Sequence, residues 1–115
     1  MNDEDLISVE TSIEQATAAI ELGECLKRLY NNKDFQQVIG KEFFVTESIY
    51  LVEELGKTAT LQEPVRKEQI INNMHAISGL KRYFSKIKNA AEQARMDLGD
   101  AEIARDILLK EGLNK

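Results

Sequence analysis

The sequence predicts an all-α fold, a small helical bundle with two long heptad-patterned helices and short connecting helices, on three observations. Apolar residues recur at alternating three- and four-residue steps over two long stretches, the spacing that puts them on one stripe of a helix. Pro64 is the only proline and glycines number six in 115 residues, so helices meet few interruptions. Aromatic residues make up 6% and Trp is absent, which argues against a large aromatic core and for aliphatic helix packing. One domain over residues 1–115 is expected, at a size where oligomerisation often supplies burial that a single chain lacks.

The first helix is expected from about Asp5 to Tyr30, with Leu6, Val9, Ile13, Ala16, Ile20 and Gly23 along its seam. Past Gly23 the stripe shifts to Leu22, Cys25, Leu26, Leu29 and Tyr30. Gly23 costs about 1 kcal/mol against Ala inside a helix, so it reads either as a close helix crossing or as a tolerated kink. Asn31 to Asp34 break the pattern, and Asp34 followed by Gln37 matches a capping box for a short helix through Phe35, Val38 and Ile39 that Gly40 ends. A further helix is expected at about Glu42 to Leu55, on the spacing of Phe44, Ser48, Leu51, Val52 and Leu55, with Gly56 as its C-cap. Lys57 to Glu63 reads as a loop.

Pro64 fits the first turn of the longest helix, where its missing N–H costs nothing. Ile70, Met74, Ile77, Phe84, Ile87, Ala91, Ala94 and Leu98 form its seam, with Lys81 the single polar entry. Such a helix spans roughly 35 residues, or about 50 Å, and needs other helices or other chains along it. Beyond Leu98 two readings stay open. Either Gly99 and Asp100 end it and cap a last helix with Ala101, Ala104, Ile107 and Leu108 inward and Gly112 as stop, or the helix continues through Gly99.

The net charge of −5 is unevenly placed: residues 1–24 carry −7 with no Lys or Arg, residues 25–60 balance, and residues 61–115 carry +2. Cys25 is the only cysteine, which excludes an intramolecular disulfide and every Cys-based zinc pattern; a packed thiol in a reducing compartment is expected. The acidic start and the lack of a long apolar run predict neither a signal peptide nor a membrane span.

No catalytic, cofactor-binding or metal site is expected. His75, the only histidine, has Asn72, Asn73 and Ser78 as its nearest polar neighbours and no second ligand or carboxylate. Adjacent pairs such as Glu53 and Glu54 point apart on a helix, and no glycine-rich phosphate loop occurs. One cluster is positive: Lys81, Arg82, Lys86 and Lys88 with Tyr83, which could meet phosphates and stack on a base. The charged flank of a helix interface is the stronger reading, and a sequence pI near 4.9 works against a polyanion.

Two stretches, Leu26 to Phe44 (LKRLYNNKDFQQVIGKEFF) and Ile70 to Phe84 (IINNMHAISGLKRYF), resemble short helical proteins encoded by tailed bacteriophages. The resemblance implies a phage product of virion assembly or of the infected host cytoplasm, and brings no catalytic residue. Together the seams and the resemblance lead to an expected function: a non-enzymatic, self-associating structural, scaffolding or adaptor component. Its interface is expected at Ile70, Met74, Ile77, Lys81, Phe84, Ile87, Ala91 and Leu98, and its partners are itself and another protein. Two alternatives accompany it, a small inhibitor that binds a host protein through the acidic first helix, and a weak nucleic-acid binder through the basic cluster.

Overall fold

The computed structural model describes residues 3–113, and among these every regular element is helical. In chain order they are α1 (Asp3–Tyr30), α2 (Lys33–Phe35), a π-helical segment (Gln36–Thr46), α3 (Glu47–Leu55), the one-turn α4 (Thr58–Leu61) and α5 (Pro64–Leu113). The fold is all-α, with two long helices and short connecting ones. No helix among the described residues is long and apolar enough to cross a membrane.

α1 begins with Asp3, Glu4 and Asp5 and ends with Lys27 and Arg28, charges that complement the helix dipole at both ends. It stops where expected, but the next helix starts differently. Asn32, in extended conformation, is the N-cap, and its Oδ1 accepts the Phe35 N–H at 2.9 Å; Asp34 already lies inside the helix. The Gln36 side chain donates to the Tyr30 carbonyl at 2.7 Å, satisfying an end group of α1.

Gly40 does not end a helix. The chain runs helically from Lys33 to Leu55 through the π-helical segment, and Phe35, Thr46 and Glu47 all keep ordinary right-handed dihedrals. The spacing of the apolar residues accounts for the wide turns. Phe35, Ile39, Phe44, Ser48 and Leu51 are among the at least partly buried positions, and the steps of four and five residues from Phe35 through Ile39 to Phe44 average more than four. A helix of 3.6 residues per turn would carry Phe35 and Phe44 to opposite sides, whereas about 4.4 residues per turn keeps them together. Tertiary packing thus overrides the local preference for an α-helix.

Gly56 closes α3 with φ −76°, its N–H bonded to the Val52 carbonyl at 3.1 Å, and the Lys57 N–H bonds to the Glu54 carbonyl at 3.2 Å. The expected loop contains the single turn α4, whose Thr60 is buried. Pro64 opens α5 as expected, and the Lys67 N–H returns to the Glu63 carbonyl at 3.0 Å. α5 is 50 residues long, about 75 Å, and passes through both Gly99 and Gly112, so neither stops it.

The expected single domain meets a chain that clusters into two compact units. Lys27–Ser85 is one. Its core is Leu51, Ile70 and Ile77, with Phe43, Phe44, Leu55 and Met74 packed against it. Burying each large side chain stabilises by roughly 1.5–3 kcal/mol.

The other unit comprises the described parts of Met1–Leu26 and Lys86–Lys115, an arm of two helical segments. Ala16, Leu26, Ile87, Ala91 and Ala94 are its buried apolar residues. Arg95 donates to the Glu24 carboxylate at 2.6 Å. Gly23 is here a close crossing, because a Cβ at this position would fall deep inside contact distance of the Ala91 Cβ, which cannot move without its helix. Gly23→Ala is predicted to lower stability by about 1 kcal/mol, since overpacking of about 1–3 kcal/mol outweighs a helix-propensity gain of up to about 1 kcal/mol. Thermal melting should show the loss, and Ala91→Gly combined with Gly23→Ala should recover part of it.

Candidate functional site

Phe84 gathers the aromatic side chains of the Lys27–Ser85 unit. Its ring meets Tyr30 at 5.7 Å, Phe35 at 5.9 Å, Phe44 at 6.1 Å and Tyr83 at 6.2 Å between centroids, the first three edge-on. Tyr30 also meets Phe35 at 5.7 Å, and Phe43 meets Phe44 at 5.9 Å. Six of the chain's seven Phe and Tyr residues therefore form one cluster, against the expectation drawn from the low aromatic content. Each edge-on pair contributes about 0.5–1.5 kcal/mol beyond its buried area.

The expected seam residues divide clearly. Ile70, at 0% exposure, and Ile77, at 3%, belong to the core, Phe84, Ile87 and Ala91 are buried, and Met74 and Leu98 are half-buried. Their burial is achieved within one chain. Lys81 is exposed, with its Nζ 5.2 Å from the centre of the Phe44 ring, so its place in the seam is explained by a cation–π contact and a solvent-reaching ammonium group.

Arg82, Tyr83, Lys86 and Lys88 are exposed as well. Sequence neighbours on a helix project about 100° apart, so Lys81, above the Phe44 ring, and Arg82 do not present one surface. The cluster is continuous in sequence and divided in space. His75 is exposed, Cys25 is exposed rather than packed, and among the described residues no group of three or more His, Cys, Asp or Glu could hold a metal ion.

One concavity of the Lys27–Ser85 unit is an open groove of about 330 Å³ between the π-helical segment and α5. Val38, Ile39, Phe43, Ala76 and Ile77 give it apolar walls, with Glu42, Glu47 and Asn73 at polar positions.

Beside the groove lies a feature that sequence reading missed. Val38, Val45, Ile49 and Val52 are 60%, 51%, 55% and 58% exposed, although Val38, Val45 and Val52 repeat every seven residues. The heptad repeat was visible in the sequence, but the π-helical turns that direct it outward were not.

At the C-terminal end of α3, Glu54 receives Lys57 at 2.5 Å and lies 3.9 Å from Arg66. The hydrogen bond from Lys57 to Glu54, reinforced by the Glu54 charge, raises the Lys57 pKa above its ordinary 10.5.

Comparison with known proteins adds no relative: no family model, curated protein sequence or solved structure matches the chain.

Lys57 is charged in the folded protein to a higher pH than in the unfolded chain. Its stabilising effect is complete below about pH 10.5 and is lost as pH rises through the raised value. Lys57→Met should therefore melt slightly below the parent protein at neutral pH, and the gap should close above the raised Lys57 pKa in a series of melting curves.

Proposed function

We propose that this chain is a non-enzymatic helical interaction protein that self-associates and serves as a structural, scaffolding or adaptor component. One observation carries the reading. The two-helix arm buries Ala16, Ala91 and Ala94 beside only two larger side chains, Leu26 and Ile87, while Ile7, Met96, Ile103 and Ile107 are exposed.

Buried methyl groups contribute little compared with buried isoleucines, and two helices alone cannot enclose a core. Met96, Ile103 and Ile107 are spaced by seven and four residues, so they share one stripe of α5. A second copy supplying two more helices would complete a four-helix arrangement and cover that stripe. The covalently separate surfaces need not be the seam from Ile70 to Leu98, which the chain covers itself.

Tailed-phage virion assembly, in the host cytoplasm or in the virion, is the setting implied by the resemblance of Leu26 to Phe44 and Ile70 to Phe84, and it rests on those stretches alone. A second reading, an inhibitor of a host protein, is favoured by the seven acids of residues 1–24. Mass spectrometry of purified particles distinguishes the two, because a virion component is present there and a host-directed inhibitor is not.

Light scattering at micromolar concentration should give an integral multiple of the 13.0 kDa chain mass, and Ile103→Glu with Ile107→Glu should return it to 13.0 kDa. A monomeric mass for the unaltered chain rejects self-association.

A further inference from the structure

The segment Lys33–Leu55 carries two apolar faces written in different helical periods. In the observed π-helical register, Phe35, Phe44, Leu51 and Leu55 lie toward the core side, and Val38, Val45, Ile49 and Val52 face solvent. Continuous α-helix from Phe35 reverses this. Each of the 11 residues of the π-helical segment turns the chain about 18° less than an α-helical residue does, so conversion rotates α3 by about 200°. Val38, Val45, Ile49 and Val52 then share the side of Phe35, while Phe44, Leu51 and Leu55 point away.

We propose that Gln36–Thr46 is a register switch, whose interconversion between π- and α-helix exchanges the Phe44, Leu51 and Leu55 face for the Val45, Ile49 and Val52 face against Ile70 and Ile77 of α5. Opposing tendencies make the segment bistable. Local backbone preference favours the α-helix, since long π-helical runs are rare and their hydrogen bonds poorer. Packing favours the π-helix, through the rings around Phe84 and the buried Leu51.

Two hydrogen bonds accepted by Glu42 are among those that mark the observed register. The Glu47 N–H bonds to the Glu42 carbonyl, five residues back, and the Gln37 side chain donates to Glu42 Oε1 at 3.3 Å, across the same five-residue step. Neither survives in an α-helix, where residues five apart lie about 140° from one another. Glu42 and Glu53 come to the inner side on conversion, a cost to the α-helical register that adds to the preference for the observed one.

The test is a mutational cycle read by thermal melting of helical circular dichroism. Leu51→Glu places a charge at a buried position of the observed register but at an exposed position of the other. It should keep a cooperative transition. Ile49→Glu with Val52→Glu alters only exposed positions of the observed register and should shift the midpoint by no more than a few degrees. The triple variant carries a newly introduced carboxylate on the inner side in either register, and should lose cooperative melting altogether. A triple variant that melts at the sum of its parts overturns the proposal. If Leu51→Glu does not fold, methyl relaxation dispersion on the unaltered protein decides: one shared exchange process at Val45, Ile49, Leu51 and Val52 supports the switch, and flat profiles overturn it.

Discussion

The Phe84 ring is the constraint from which the middle of this chain follows. A single buried side chain on α5 is met by Tyr30 at the end of α1, by Phe35 at the start of the next helix and by Phe44 nearly ten residues later. Phe35 and Phe44 can reach it together only if the helix between them turns more slowly than an α-helix. The π-helical segment is the backbone's response to that demand. Asn32 fixes where the helix starts, and Leu51 secures it against Ile70 and Ile77 once it returns to α-helical spacing.

A consequence of satisfying Phe84 is the outward direction of the valine and isoleucine repeat. Val38, Val45, Ile49 and Val52 would form an inward stripe in an ordinary helix, and the wide turns leave them in water. In the arm a different constraint acts. Gly23 allows its helix to approach Ala91 closely, and the small residues that permit the approach leave little apolar area between the helices. Close packing there and exposure of Ile103 and Ile107 are two sides of one choice of residue size. Self-association is the reading that relieves that exposure.

How legible this was in the sequence depended on whether a local period determined the outcome. The seams of α1 and α5 could be read because Leu6 to Gly23 and Ile70 to Leu98 keep helical spacing throughout, and the structure places all of them except Lys81 at buried or half-buried positions. Pro64 and Gly56 announced their boundaries for local steric and capping reasons. Gly40 and Gly112 misled, since glycine can end a helix but does not have to when flanking residues pack. Asn32 rather than Asp34 became the cap because the extended residue before the first turn holds that role, and Asp34 lies within the turn. The π-helix was hidden for a deeper reason, as its cause lies in Phe84, some forty residues away. For the candidate site, composition concealed the aromatic cluster: seven rings are few for a core but enough when six converge. The basic run from Lys81 to Lys88 was legible as a sequence feature, whereas its dispersal around a helix needed the third dimension.

Trans-hydrogen-bond scalar couplings, measured by NMR on protein labelled with nitrogen-15 and carbon-13, test the wide-turn helix at its source. The Glu47 N–H should couple to the Glu42 carbonyl, five residues back, with the same five-residue step repeated through the segment Gln36–Thr46. Coupling four residues back throughout the segment, from the Glu47 N–H to the Phe43 carbonyl and so on toward Gln36, would contradict the account, because Phe35 and Phe44 could not then share the Phe84 ring.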